Sequence, residues 1–123
     1  MAGRILIVED EGTLRESLKR VLSREGYVVD AVDSSESAIA VIAQKAFDLV
    51  VTDIILPGIS GMELLKKCRE KNPTLIVIII TAYATIESAV EAIRAGAFEY
   101  LVKPIIHEEL KAAIEKALAG RAA

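Results

Sequence analysis

Two apolar patterns alternate along the chain. Short β-branched runs recur at residues 5–8, 27–32, 49–51 and 75–80, with a weaker one at 100–102, and all but the second and last are apolar throughout. Unbroken apolar runs of this length mark strands covered on both faces. Between them the spacing becomes helical: Leu14, Leu18, Val21 and Leu22 fall at i, i+4, i+7 and i+8, and Leu110, Ile114, Ala117 and Leu118 repeat it. Each set forms one apolar stripe on a helix.

The breaks agree with this division. Asp33 with Glu36, and Ser60 with Glu63, have the spacing of a helix N-cap and its third residue, which predicts helix starts near residues 34 and 61. Gly26 and Gly96 stand where helices should stop. Five strand-then-helix units result. Right-handed crossovers then require an α/β fold, a doubly wound parallel sheet with helices on both faces.

Composition narrows the class. A chain of 123 residues is the size of one domain, with a core expected over about 4–118 and no linker, repeat or low-complexity segment. The 15 basic and 18 acidic residues are scattered, which argues against nucleic-acid binding. The single Cys68 can form no internal disulfide and is expected to be half-buried at helical spacing from Leu64 and Leu65. No segment resembles a signal peptide and no apolar run is long enough to cross a bilayer, so no membrane contact and a cytoplasmic location are expected.

In an open parallel sheet, function gathers beyond the carboxyl ends of the strands. Glu9, Asp10 and Glu11 follow the first run, Asp53 ends the third, Thr81 the fourth, and Lys103-Pro104 the fifth. Clustered carboxylates remain ionised only if a cation shares their site. An all-oxygen set suits Mg²⁺, which also takes phosphate oxygens. Lys103 adds a second positive charge and Thr81 a neutral donor, so a phosphoryl group can be neutralised here. Asp53, alone in an apolar run, is the candidate nucleophile, since a carboxylate can attack phosphorus to give an acyl phosphate. Taken singly, each residue has a plainer role: a helix cap, a solvated acidic loop, a turn threonine or a surface lysine. Their joint placement favours a site. His107 is expected in the first turn of the last helix, without a ligand role.

The chain resembles the response-regulator receiver domains of two-component signalling, through ILIVEDE, VVTDIILPGISGMELL, VIIITAY and AFEYLVKPI in order and approximate spacing. The segment TAYATIESAVEAIRAGAFEYLVKP is most similar to receivers of the nitrogen-regulation type, often fused to an ATPase module and a DNA-binding helix-turn-helix. The resemblance implies a flavodoxin-like fold of strand order 2-1-3-4-5. It assigns Mg²⁺ to Glu9, Asp10, Asp53 and the main-chain carbonyl of Ile55, and phosphoryl acceptance from a histidine kinase to Asp53. Thr81 and Lys103 become phosphate-sensing, Tyr100 an inward-turning switch, and the bond before Pro104 cis.

Two positions depart from the family's commonest pattern: Glu9 replaces an aspartate with the charge retained, and Ser60 stands where Asp is common. The resemblance further implies a face of the fourth helix, fifth strand and fifth helix that controls an output domain or effector, or a phosphorylation-dependent homodimer. Ile86, Val90, Glu91, Arg94, Glu99 and Lys111 are its candidate contacts. Ile55 and Tyr83, two positions after Asp53 and Thr81, are the expected tuners of phosphoryl lifetime. The expected role is a switch with slow autodephosphorylation, for which enzyme is the wrong principal label. Two rival readings fit less well. A magnesium-dependent phosphatase with an aspartyl nucleophile would usually carry a second Asp where Ile55 stands. A flavin- or nucleotide-binding domain would need a phosphate cradle where the acidic turn lies. The chain ends at GRAA soon after the last helix, as a stand-alone receiver or an excised fragment would.

Overall fold

The computed structural model describes residues 3–122 and contains five strands alternating with five helices. The strands are β1 (Arg4–Val8), β2 (Val28–Val32), β3 (Leu49–Asp53), β4 (Ile76–Thr81) and β5 (Glu99–Val102). The helices are α1 (Gly12–Arg24), α2 (Ser35–Gln44), α3 (Gly61–Lys71), α4 (Ile86–Arg94) and α5 (His107–Ala122). All pairings are parallel, in the order β2-β1-β3-β4-β5. The order reverses between β1 and β3, so their carboxyl ends open into one crevice.

Successive side chains on a strand point to opposite faces. Leu6, Val8, Val50, Val77 and Ile79 therefore pack with Ala38 of α2, Met62, Leu65 and Cys68 of α3 and Ala92 of α4. Ile5, Ile7, Leu49, Val51, Ile78 and Ile80 pack with Leu18 and Leu22 of α1 and with Leu110, Ala113 and Ile114 of α5. Two aliphatic cores thus clamp a sheet whose central strand, β3, is buried at every residue.

Several boundaries differ from expectation for local reasons. Ser34, not Asp33, caps α2, its hydroxyl accepting the Ser37 N–H at 3.1 Å. Ser60 caps α3 as expected, accepting from the Glu63 N–H. At α4 a full capping box joins Thr85 and Ser88. Gly26 (φ 98°) and Gly96 (φ 105°) close α1 and α4 in the left-handed region. Cys68 is buried rather than half-buried, and burial pushes its thiol up to about 11. Among the described residues no helix is long and apolar enough to cross a membrane.

Candidate functional site

The site continues the strand alternation past the sheet's edge. Asp53 follows Leu49 and Val51 on one face of β3, Glu9 follows Ile5 and Ile7 beyond β1, and Lys103 follows Leu101 beyond β5. Lys103 Nζ lies 2.6 Å from Asp53 Oδ2 and 2.8 Å from Glu9 Oε1. Glu9 and Asp53 are buried, so an ammonium between them offsets a repulsion that solvent cannot screen. Burial pushes the Glu9 carboxyl above its ordinary range, against the lowering pull of Lys103. For Lys103, burial opposes the charge, but its hydrogen bond to Asp53 and its close ion pair with Glu9 outweigh it and hold the ammonium above its usual value.

The remaining acceptor atoms are organised by main chain. Asp53 Oδ1 accepts the Ile55 N–H at 3.0 Å. The Gly61 N–H donates to the Ile54 carbonyl at 2.7 Å, which closes the loop onto α3. Gly61 is required there: a Cβ would lie 1.8 Å from the Asp53 carbonyl oxygen. Glu9 Oε2 accepts the Glu11 N–H at 3.1 Å. Glu9 Oε1 is buried and has no hydrogen-bond donor in suitable geometry, despite its closeness to Lys103.

Glu9, Asp10 and Asp53 each present a carboxylate oxygen within 4.8 Å of the others. This all-oxygen set, with one buried oxygen lacking a well-directed donor, fits a hard divalent cation better than a soft one. Glu11 does not join it. Its carboxylate caps α1 by accepting from Thr13 and Leu14, and those main-chain bonds, led by Leu14, lower its pKa.

The other expected site residues lie nearby in distinct settings. Thr81 is buried at the end of β4, one step beyond Ile80, the partner of Asp53. Its hydroxyl accepts the Tyr83 N–H at 3.1 Å. Ile55 and Tyr83 are 53% and 72% exposed, so neither is committed to the core. Tyr100 is half-buried on β5, and its hydroxyl lies 2.5 Å from Ser88 Oγ, within the cap of α4. The Lys103–Pro104 bond is cis, as the resemblance implies. Sequence reasoning missed Ser88, and it missed Arg15, whose guanidinium donates to the Glu9 carbonyl at 3.0 Å. Neither contact has a local sequence signal.

The sequence matches the response regulator receiver domain family over residues 5–115. It is 47% identical over 104 residues to the response regulator protein FleR of Pseudomonas aeruginosa, covering 85% of this chain but only 22% of that protein's length. A CheY-like receiver domain from Methanospirillum hungatei JF-1 superposes with a TM-score of 0.95 at 34% identity, covering 99% of this chain and 98% of the other. The beryllofluoride-activated NtrC4 receiver domain dimer matches with a TM-score of 0.88 at 33% identity, over 93% of this chain and 94% of that one.

Proposed function

Since this chain belongs to the response regulator receiver domain family, we propose that it is a phosphoacceptor switch in which Asp53 takes a phosphoryl group from the phosphohistidine of a histidine kinase. The observation that carries this reading is the seat of Asp53, buried against Lys103 and within reach of Glu9 and Asp10. In the transfer, an Asp53 oxygen attacks phosphorus while the bond from phosphorus to the donor imidazole breaks and returns its electron pair to nitrogen. Glu9, Asp10, Asp53 and the Ile55 carbonyl would hold Mg²⁺, which supplies neutralisation of the phosphoryl oxygens. Lys103 would pass from the carboxylates to the incoming phosphoryl group as a second cation. The Thr81 hydroxyl would turn from Tyr83 toward a phosphoryl oxygen.

The output reading rests on the exposed apolar surface of α4 and β5. Ile86 is 81% exposed and Val90 43%, and Ile93 and Val102 are each 52% exposed. Of the charged candidates, Glu91 pairs with Lys66, and Lys111 with Glu108 and Glu25, which leaves Arg94 and Glu99 more available. We assign this face to an effector, an output domain of transcriptional type, or a second phosphorylated copy. Incubation with Mg²⁺ and acetyl phosphate should add one phosphoryl mass, and Asp53→Asn should add none. Equal labelling of the variant would remove Asp53 from its role. Asp10→Ala should weaken Mg²⁺ binding by removing one of few carboxylate ligands.

A further inference from the structure

The turn joining β1 to α1 is anchored on almost every polar atom of Glu9. The Glu9 N–H donates to the Val32 carbonyl at 3.1 Å, which continues the sheet one step. Its Oε2 accepts from the Glu11 N–H. Its carbonyl takes no main-chain donor among the described residues and is met instead by Arg15 Nη1 at 3.0 Å. Helical side chains lean toward the N-terminus of their helix. Arg15 therefore runs back along α1, passing Gly12, where even a Cβ in place of the glycine hydrogen would keep 3.6 Å from its other terminal nitrogen. Its remaining ion pair, to the exposed Glu16 at 3.9 Å, is loose.

The peptide held in this way carries the Glu9 carbonyl at one end and the Asp10 nitrogen at the other. Fixing its plane fixes the direction in which Asp10 leaves the main chain. Asp10 is exposed, and none of the side-chain hydrogen bonds or ion pairs among the described residues involves its carboxylate, so its aim depends on the backbone beneath it. We propose that Arg15 is a positioning residue for the cation site: it touches neither metal nor phosphoryl group, and it orients Asp10 through the Glu9 carbonyl. This rests on the reading of Glu9, Asp10 and Asp53 as a Mg²⁺ site.

Charge and positioning predict opposite signs. Arg15 places a positive charge near the bound cation, so removing that charge alone would tighten Mg²⁺ binding. Removing a group that orients a ligand weakens binding, typically by about 10–100-fold for outer-shell partners of a metal.

The test is calorimetric titration of the intact chain with Mg²⁺, together with amide exchange of the metal-free protein. Arg15→Met, which keeps length and loses the donor, should weaken binding roughly tenfold, near the low end of that range. Arg15→Lys, which keeps the charge and one donor, should fall between Arg15→Met and wild type. The Asp10 and Glu11 amides should exchange faster in Arg15→Met before any metal is added, while exchange in β3 and β4 stays unchanged. Unchanged or tighter binding by Arg15→Met would overturn the proposal, as would a Lys variant no better than Met. Were Arg15→Met not to fold, the Lys variant and the amide readout would decide alone. A wild-type chain that binds no Mg²⁺ would overturn the site reading itself, and the role of Arg15 with it.

Discussion

Lys103 Nζ meets Asp53 Oδ2 at 2.6 Å and thereby ties the end of β5 to the end of β3 across the intervening β4. The same ammonium reaches Glu9 beyond β1, so one side chain neutralises carboxylates from two other strand ends.

Replacing Lys103 with Met should therefore destabilise the metal-free protein. Two buried carboxylates would lose their shared cation, a change that costs roughly 3–5 kcal/mol in fully buried pairs. Lys103 retains some solvent contact, so the lower end of that range is expected. Added Mg²⁺ should recover part of the loss. The deficit should also shrink as pH falls through the raised pKa of Glu9, because a protonated carboxyl needs no ammonium. Chemical denaturation with and without Mg²⁺ at several pH values checks both signs.

The hydroxyl of Tyr100 and that of Ser88 join β5 to the first turn of α4. Tyr100→Phe should cost about 1 kcal/mol, the worth of one hydrogen bond. Amide exchange should quicken around Ser88 more than in the β-sheet. Uniform quickening instead would mean that the contact does not hold the α4 cap in particular.

Ile55 and Tyr83, two positions after Asp53 and Thr81, are both exposed, and if Asp53 carries the phosphoryl group as proposed they would obstruct a water approaching the acyl phosphate. A phosphorylated form lasting many minutes is expected. Ile55→Asn with Tyr83→Glu, which adds polar groups able to orient that water, should hasten decay roughly tenfold, or about 1.4 kcal/mol off the barrier. Following phosphate loss after removal of the donor measures this, and decay within seconds in the parent chain would assign the lifetime elsewhere.

Cys68 should resist alkylation at pH 8 in the native protein and react once denatured, because burial holds its thiol at about 11. A raised native pKa adds stability that is fully present below the unfolded value near 9 and is lost as pH rises through the native one. Wild type should lose more stability than Cys68→Ala between pH 9 and 11.

The strands were legible because both faces of the sheet are buried, so β-branched runs such as Ile76–Thr81 stand out from their flanks. The placement of Asp53, the acidic pair and Lys103 together was legible for the same reason, as charges that interrupt or end apolar runs. Caps were harder. Asp33, Ser34 and Ser35 are adjacent residues that can all cap a helix, and only backbone geometry selects Ser34. The α4 box escaped because Ser88, rather than Glu or Gln, holds its third position. Arg15 against the Glu9 carbonyl and Ser88 against Tyr100 depend on how a helix is set on the sheet, which apolar spacing does not encode.

The assembly of the site from strand ends bears on how the chain matures. Glu9, Asp53 and Lys103 come from segments far apart in the sequence and meet only when β1, β3 and β5 are all in register. Such non-local pairings form slowly, after the entropy of closing long loops has been met. A partly folded intermediate with β5 undocked would lack the ammonium that lets buried carboxylates coexist. If Asp53 accepts a phosphoryl group as proposed, that chemistry would be withheld from incompletely folded chains, and a cation that binds only the finished site would draw the folding equilibrium toward it.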